Sequence, residues 1–287
     1  MRRLVSLLLV LVLVPVCAGA ELTAWFLDVG QGDCTVIVCD GETMVIDGGP
    51  AGSSQKVYSF LRETLGTERI RYVVSTHPHE DHIGGLVSAL SAAPADLILS
   101  PVREWNTRKF SQLMNYARKS GTPVDVPETG DSFVLGGAVV TVLHCWPESV
   151  EVYEKDVNDM SVVIRIDYGK TSLIVAGDAE ETAEYMMLDS GLPLKADVLR
   201  VAHHGSTYSS TVPFLKAVSP AYAVISCGAG NDYGHPHKRV LRELDKLDVK
   251  LYRTDQQGTI RCVSDGEQVS FAVERRSADD GEEGLLF

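Results

Sequence analysis

The sequence predicts an α/β protein with mixed β-sheets, built as one large domain. Short runs of apolar and β-branched residues alternate with longer amphipathic segments through most of the chain. Hydrophobic residues make up 45% of the 287 residues, which is typical of a globular protein with a sizeable core. Proline and glycine are spread through the turns, so no linker is indicated. Two mixed sheets packed together with helices outside them would satisfy this pattern.

The first half of the chain is rich in predicted strands. Short β-branched and aromatic runs predict strands at about 22–28, 34–39, 43–47, 71–75 and 96–100. Helices are predicted from Ser53 to Leu65, from Gly84-Gly85 onwards, and at about 106–119. This order of elements provides strands for one mixed sheet and helices to cover it.

The second half repeats this arrangement. A hairpin near 132–143 is predicted to turn at Gly136-Gly137. Further strands are predicted near 162–167, 172–176, 197–201 and 221–226, and helices near 179–190 and 237–247, before closing strands. A second sheet with its own outer helices accounts for this pattern.

The most informative motif lies at residues 76–85, Thr-His-Pro-His-Glu-Asp-His-Ile-Gly-Gly. Three histidines and one aspartate fall within the six positions from His77 to His82. Imidazole and carboxylate groups are the usual ligands of zinc and related divalent metals. The motif joins a predicted strand to a predicted helix, and such a loop can direct several side chains to one point. The sequence therefore predicts a metal site here.

Three more polar clusters follow predicted strands. Asp178 ends one strand, His203 and His204 follow the next, and His235 and His237 lie in a later loop. Loops at one edge of a sheet are the usual location of a functional site. We expect these clusters to meet the first motif. His144 stands apart, and we expect it to be a hydrogen-bonded histidine beside a core strand.

Together these motifs resemble the metallo-β-lactamase superfamily. Within it they are similar to the ComEC-type branch, extracellular hydrolase domains attached to bacterial DNA-uptake channels. The matching segments, in the family's order, are Phe26–Asp33, Val45–Gly49, His77–His82, Asn158–Ser161, Ala176–Asp178, His203–Ser206 and Tyr233–Pro236. The resemblance implies an αββα sandwich, two mixed β-sheets flanked by helices, over about residues 21–275.

The resemblance also implies a centre for two divalent metal ions. Its ligands would be His77, His79, Asp81, His82, Asp178 and His204. His77 and His79 would share one metal and Asp81 and His82 the second. Asp178 would bridge the two metals. His203 competes with His204 for the last position, but His204 precedes Gly205 as the family's ligand commonly does. The histidine left over would bind a phosphate oxygen or protonate a leaving oxygen.

One departure from the family affects the choice of metal. Many members supply a third histidine to the first metal. The corresponding stretch here, Asn158-Asp159-Met160-Ser161, contains no histidine. A site richer in oxygen ligands shifts the preference from zinc towards manganese. We therefore expect two ions of zinc or manganese.

Other residues near the predicted centre have expected roles. Asp47 is expected to hydrogen-bond a ligand histidine. Catalytic roles are expected for Asp81, His203, Asn158 and His235, and substrate binding for Ser206, Asn231 and Tyr233. Asp28 and Asp33 flank a glycine turn and remain open between structural and functional roles. His237 is expected at the start of the following helix.

These expectations lead to a function. The chain is predicted to be a secreted metal-dependent phosphodiesterase or nuclease that uses a water activated by two metals. One alternative is an amide or ester hydrolase, like a β-lactamase or lactonase. Another is a non-catalytic binding protein on the same fold. The partner expected for the first hypothesis is a phosphodiester, with extracellular DNA or RNA as candidates.

The N-terminus and the net charge of the chain indicate where the protein acts and how it would contact a polyanion. Residues 1–20 combine Arg2-Arg3, an apolar run and Ala18-Gly19-Ala20, the pattern of a Sec-type signal peptide, with an uncleaved membrane anchor as the alternative. Cleavage would change the net charge from −13 to −15, so we expect no broad basic nucleic-acid surface. We also expect no membrane span in the mature chain, because no other segment could cross a membrane. Residues 276–287 are expected to form an acidic, solvated tail.

The cysteines predict no disulfide between close neighbours in sequence. Cys34 and Cys39 share one predicted strand and face opposite sides of it, so they cannot bond to each other. Five cysteines would remain after cleavage, and their spacing matches no zinc ribbon. We expect most of them to be small buried apolar residues. The oligomeric state is left open.

Overall fold

The computed structural model describes residues 21–147 and 157–275 and the backbone of a final two-residue strand. The predicted signal peptide, residues 1–20, lies outside the described residues, as does the acidic tail apart from that strand. Among the described helices, none is long and apolar enough to span a membrane.

The strands are, in chain order, β1 (Leu22–Phe26), β2 (Thr35–Cys39), β3 (Glu42–Ile46), β4 (Ile70–Val74), β5 (Ala95–Leu99), β6 (Val124–Asp125), β7 (Ser132–Leu135), β8 (Ala138–His144), β9 (Val163–Tyr168), β10 (Thr171–Val175), β11 (Val198–Arg200), β12 (Tyr222–Ile225), β13 (Lys250–Arg253), β14 (Ile260–Ser264), β15 (Val269–Val273) and β16 (Leu285–Leu286). In the described chain they form two sheets, ordered β16-β15-β14-β1-β2-β3-β4-β5-β6 and β13-β12-β11-β10-β9-β8-β7. Both sheets are mixed. Strands β3 to β6 and β10 to β13 run parallel to one another. Strands β1, β2 and β3 pair antiparallel in the first sheet, as do β9 and β10 in the second.

The α-helices are α1 (Ser54–Ser59), α2 (Glu80–Ile83), α3 (Leu86–Ala92), α4 (Arg108–Ser120), α5 (Glu181–Asp189), α6 (Val212–Val218), α7 (Lys238–Lys246) and α8 (Thr254–Gln257). The local sequence explains α4 well. Thr107 caps its start, because the Thr107 side chain accepts the backbone N–H of Phe110, and Gly121 ends it in a left-handed conformation. Phe110, Leu113 and Ala117 are its buried residues and lie on one helical face.

Three apolar clusters hold these layers together. The inter-sheet core takes residues from both sheets, including Phe26 and Met44 from one and Val140 and Ile164 from the other. The two outer clusters pack α1, α3 and α4 on the first sheet, and α5, α6 and α7 on the second. The predicted αββα sandwich is therefore confirmed.

Some element boundaries differ from the sequence prediction. The helix expected from Ser53 to Leu65 is a succession of a 3-10 turn at Ala51–Ser53, helix α1, and a π-helical turn at Phe60–Thr64. Helix α6, which was not predicted, begins after Thr211, whose hydroxyl accepts the backbone N–H of Phe214.

The cysteine prediction is confirmed for the described residues. All five described cysteines are buried. Cys34 packs in the outer cluster and Cys39 in the inter-sheet core, so they face opposite sides of the sheet. Burial raises the pKa of Cys227 to about 12, which fits a small buried apolar residue rather than a reactive thiol.

Candidate metal centre

The candidate centre lies at one edge of the sandwich, where parallel strands of both sheets end. Asp47 follows β3 and His77 lies just past β4, in the first sheet. From the second sheet, Asp178 lies just past β10, and His203 and His204 follow β11. The carboxyl ends of parallel strands share an edge, so residues more than a hundred positions apart meet here.

Close backbone packing fixes the loop at residues 77–85. The N–H of Gly48 donates to the carbonyl of His82 at 2.6 Å, and the N–H of Gly85 donates to the carbonyl of Gly49 at 3.0 Å. A Cβ atom on Gly85 would overlap the carbonyl oxygen of Gly48. Glycine is therefore required for the two loops to approach, and this approach places α2 with its Asp81 and His82 at the sheet edge.

His77 and His79 form the first pair of candidate ligands. The Nε2 atom of His77 lies 3.0 Å from the Nδ1 atom of His79. Two nitrogens on one tetrahedral ion at the usual bond length would lie about 3.3 Å apart. Burial lowers the pKa of both rings, with a further contribution to His77 from His82 nearby. Both histidines are therefore held in the neutral form that binds metal.

Asp178 lies at the middle of the cluster. Its Oδ2 atom is 3.2 Å from Nε2 of His82, 3.5 Å from Nε2 of His204 and 3.9 Å from Nε2 of His77. Burial opposes the charged carboxylate, but His82 and His204 hold the pKa of Asp178 well below its usual value. One oxygen of Asp178 thus faces candidate ligands of both predicted metals.

Hydrogen bonds at Nδ1 orient the rings of His82 and His204. Nδ1 of His82 lies 2.7 Å from Oδ2 of Asp47, and Nδ1 of His204 lies 2.9 Å from the carbonyl oxygen of Ser226. Asp47 itself accepts two hydrogen bonds from Thr76, at 2.9 Å from the backbone and 2.7 Å from the hydroxyl. With Nδ1 engaged in both rings, Nε2 faces Asp178 in each. The hydrogen bond expected of Asp47 is present.

Asp33 and Arg200 form a buried ion pair behind these rings. Arg200 is 1% exposed, and its guanidinium also donates to the carbonyl oxygen of Gly177 at 2.5 Å. Oδ2 of Asp33 is 3.6 Å from Nδ1 of His204 and 3.8 Å from Nδ1 of His82. Asp33 therefore faces the Nδ1 side of the rings, opposite to Asp178. Sequence analysis left Asp33 open and missed Arg200.

The geometry distinguishes His203 from His204. Both have left-handed backbone conformations, with φ of 50° and 53°, and such residues cost about 1–3 kcal/mol each. Nε2 of His204 lies 3.2 Å from Oδ2 of Asp81, inside the cluster. Nε2 of His203 is 3.8 Å from Asp178, and its Nδ1 lies 3.0 Å from Oε1 of Glu180. This arrangement favours His204 as the ligand.

Glu180 is a second residue that sequence analysis missed. Besides His203, its Oε1 atom accepts a hydrogen bond from Nδ2 of Asn158 at 2.8 Å. Burial opposes its ionisation, but the hydrogen bond with His203 lowers the pKa of Glu180 overall. An ionised Glu180 can hold His203 in position. Its place two residues after Asp178 was the available signal in the sequence.

A cavity of about 260 Å³ opens over the cluster. Of the predicted residues, its lining includes Asp81, Asn158, His203, Tyr233 and His235. His235 stacks on the exposed ring of Tyr233, with centroids 5.6 Å apart. Burial, together with His204, lowers the pKa of His235 to about 4. A substrate in this cavity would meet a neutral imidazole and an exposed aromatic ring.

Two residues expected to bind substrate make hydrogen bonds within the surrounding loops. The side chain of Asn231 accepts the N–H of His235 at 3.0 Å and donates to the His235 carbonyl at 2.6 Å. Ser206 is buried, and its hydroxyl accepts the N–H of Tyr208 at 3.3 Å. Neither residue is part of the lining of the cavity.

The two remaining histidines lie where the sequence predicts them. Nε2 of His144 contacts the carbonyl oxygen of Asp159 at 2.8 Å, and the ring is buried beside β8. His237 directly precedes α7, and its Nδ1 accepts the N–H of Thr207 at 2.9 Å. The segment at 157–161 places Ser161, rather than a third histidine, near His77, at 3.5 Å from Nδ1.

Comparison with known proteins agrees with this geometry. A sequence profile described as "Metallo-beta-lactamase superfamily" matches residues 27–229. A solved metallo hydrolase from the archaeon Ignicoccus hospitalis superposes with a TM-score of 0.54 at 17% identity, covering 83% of this chain and 98% of that one. At this identity the likeness shows the fold alone.

The chain is also similar to parts of longer curated proteins, one of them named a competence protein. ComE operon protein 3 of Bacillus subtilis is 29% identical over 262 residues, which cover 85% of this chain and 33% of that protein. Competence protein ComA of Neisseria gonorrhoeae is 29% identical over 246 residues, covering 84% of this chain and 32% of that protein. The resemblance to the ComEC-type branch is confirmed, and the chain spans about a third of the length of these relatives.

Proposed function

Because the chain belongs to the metallo-β-lactamase superfamily, we propose that its centre binds two divalent metal ions and hydrolyses phosphodiester bonds. The observation that carries this proposal is the position of Asp178, whose Oδ2 atom lies 3.2–3.9 Å from Nε2 of His82, His204 and His77. A carboxylate between two groups of imidazoles can serve an ion on each side.

The donor atoms fit such ions. The buried side-chain atoms without a hydrogen-bond partner in the described residues include Nε2 of His82, Oδ1 of Asp178 and both carboxylate oxygens of Asp33. Ligand atoms of Asp33, His82, Asp178 and His204 lie within 4.8 Å of one another. Of these four, Asp33 pairs with Arg200 and faces Nδ1 of the rings, so the Nε2 nitrogens and Asp178 would be the ligands. Nitrogen and oxygen donors suit zinc and manganese.

We assign the ligands by their spacing around Asp178. His77 and His79 would hold one ion, and Asp81, His82 and His204 the other, with Asp178 shared. When bound, a pair of ions supplies an activated water and stabilises the attacking and leaving oxygens of a phosphodiester. The third histidine of other family members has no counterpart in the described part of this cluster, so the first ion has fewer protein ligands.

The chain's own residues would position the substrate and supply a proton. His203 faces the cavity through Nε2, while Glu180 holds its Nδ1 and Asn158 holds Glu180. This chain of contacts is suited to delivering a proton from His203 to the leaving oxygen. Tyr233 and His235 would receive the group next to the phosphate.

Nucleic acid is the substrate class that we propose. One relative is named Competence protein ComA, and the ComEC-type branch that the sequence resembles is attached to DNA-uptake channels. The net charge of −13 repels a polyanion at long range, so binding depends on positive charge close to the centre. Export through the predicted signal peptide would place the enzyme with extracellular DNA or RNA.

Turnover of a small phosphodiester tests the function directly. The protein loaded with manganese or zinc is expected to cleave bis-p-nitrophenyl phosphate, and a chelator is expected to abolish the activity. Absence of turnover with either metal would contradict the proposal. Nitrocefin hydrolysis without phosphodiester cleavage would favour an amide hydrolase, and metal binding without turnover of either substrate would favour a binding protein.

A change at Asp47 tests how the second ion is held. Asp47→Asn is expected to weaken the affinity for metal about 10–100-fold, because the amide cannot accept from both Thr76 and His82 as the carboxylate does. Competition with a chromogenic chelator measures the affinity. Asp40→Asn is the matched control, since Asp40 also has a left-handed backbone but contacts Gly137. Equal affinities in the two variants would show that Asp47 does not act on the metal.

A further inference from the structure

A groove separate from the metal cavity lies beside α4. Its volume is about 650 Å³. It runs between the loop that precedes α4 and one side of that helix, and its lining includes Arg103, Glu104, Trp105, Asn115 and Arg118. None of these residues takes part in the proposed hydrolysis.

The groove begins at the same edge of the sandwich as the metal centre. Strand β5 runs parallel to β4, and the N–H of Ser75 donates to the carbonyl of Leu99 at 2.8 Å. The strand end that leads to His77 therefore lies beside the strand end that leads to the loop. Helix α4 also packs against α2, which carries Asp81 and His82. A chain leaving the centre over α2 would enter the groove.

The charge of this region is opposite to that of the whole protein. Residues 103–119 contain five basic residues and one acidic residue, a net charge of +4, in a chain whose net charge is −13. Arg108 and Arg118 are both exposed and lie on the side of α4 that carries Asn115. Arg103 contacts the Val124 carbonyl and Asp125, so its charge is partly neutralised. Of the other basic residues, Arg118 lines the groove, together with the acidic Glu104, and Arg108 lies outside the lining, on the side of α4 that carries Asn115.

The groove also contains an aromatic ring beside these cations. Trp105 is half-buried, with its inner part against the outer core of the first sheet. Nucleic-acid grooves that accept unpaired strands combine a cationic track for the phosphates with aromatic faces on which bases stack. Asn115, whose Oδ1 accepts from Arg118 at 2.7 Å, adds an amide to the same wall.

We infer that this groove binds a single-stranded polynucleotide whose scissile phosphate lies at the metal centre. The inference rests on the proposed phosphodiesterase function and specifies its substrate. Arg108 and Arg118 contact phosphates, and Trp105 stacks on a base. Arg108 and Arg118 form only a local cationic site, so the inference is compatible with the expectation that the protein has no broad basic surface.

Binding of a fluorescent 12-nucleotide oligothymidylate, measured by anisotropy in EDTA, tests the groove without relying on catalysis. The double variant Arg108→Gln/Arg118→Gln is expected to weaken binding about 5–10-fold. The slope of the logarithm of the binding constant against the logarithm of the salt concentration is expected to become shallower by about 1.4, because two phosphate contacts are lost. Trp105→Leu is expected to weaken binding several-fold without changing the slope. Arg242→Gln/Lys246→Gln, two exposed basic residues on α7, is the matched control and is expected to bind as the wild type does.

Kinetics separate a failure of the groove from a failure of the function. With metal bound, the groove variants are expected to raise KM for the oligonucleotide and to keep wild-type turnover of bis-p-nitrophenyl phosphate. If the wild-type protein hydrolyses the small ester but the groove variants bind the oligonucleotide as tightly as the wild type does, the groove assignment is wrong and the proposed function stands. Tighter binding of a duplex than of the single strand would also overturn it, whereas loss of small-ester turnover in the wild type would refute the function.

Discussion

Replacing Asp178 with asparagine is expected to lower phosphodiester hydrolysis by about 10²–10³-fold or more. Asp178 contacts three histidines at 3.2–3.9 Å through one oxygen and is 2% exposed. The amide that replaces it is neutral and cannot bridge two cations as a carboxylate does. The metal content is therefore expected to fall from two ions per chain to one or fewer.

Elemental analysis of the purified variant, together with turnover of bis-p-nitrophenyl phosphate, checks this result. Glu180→Gln is the comparison, because Glu180 lies in the same loop and contacts His203 rather than the cluster of ligands. That variant is expected to keep both ions and to lose activity most with substrates that have poor leaving groups, since these need a proton from His203. Two ions per chain in the Asp178 variant would show that this residue does not bridge.

The first half of the centre could be predicted from sequence because its ligands are local. His77, His79, Asp81 and His82 lie within six positions after an apolar strand, and few other functions require that spacing. Asp178 was recognisable because a carboxylate after a buried strand falls at the sheet edge. The αββα order required the resemblance to the family, because periodicity gives strands and helices but not their layers.

Other features depended on backbone conformation that composition does not reveal. The resemblance to the family already favoured His204 over His203, but the two successive left-handed residues that hold these rings are visible only in the structure. Asn231 and Ser206 looked like substrate contacts because they are polar and near the motifs, yet their hydrogen bonds close their own loops. The role of Arg200 could not be predicted, because a single basic residue at the end of an apolar strand gives no indication of its buried partner.

Arg200→Met is expected to produce the largest loss of stability of the changes considered, about 3–5 kcal/mol in the free energy of unfolding. The guanidinium is 1% exposed and pairs with Asp33, whose side chain is 4% exposed. Methionine fills much of the volume but leaves the carboxylate of Asp33 buried without its cation. Urea unfolding of the metal-free protein, compared at constant m value, measures the loss.

Two further variants separate charge from packing. Asp33→Asn/Arg200→Met removes both charges and is expected to recover part of the lost stability, because no unpaired ion remains. Arg165→Met is the matched control. Arg165 is also largely buried, but its partner Asp167 is 39% exposed and can be solvated, so the loss should be smaller. Equal losses in the two single variants would indicate that packing dominates.

The position of Asp33 extends this effect from stability to the metal centre. Asp33 lies 3.6 Å from Nδ1 of His204, the atom that contacts the carbonyl of Ser226. Without Arg200, the unpaired carboxylate would compete with Ser226 for that ring and turn Nε2 away from Asp178. We therefore expect Arg200→Met to weaken metal binding as well, and the double variant to restore it more fully than it restores stability, because asparagine carries no charge to attract the ring.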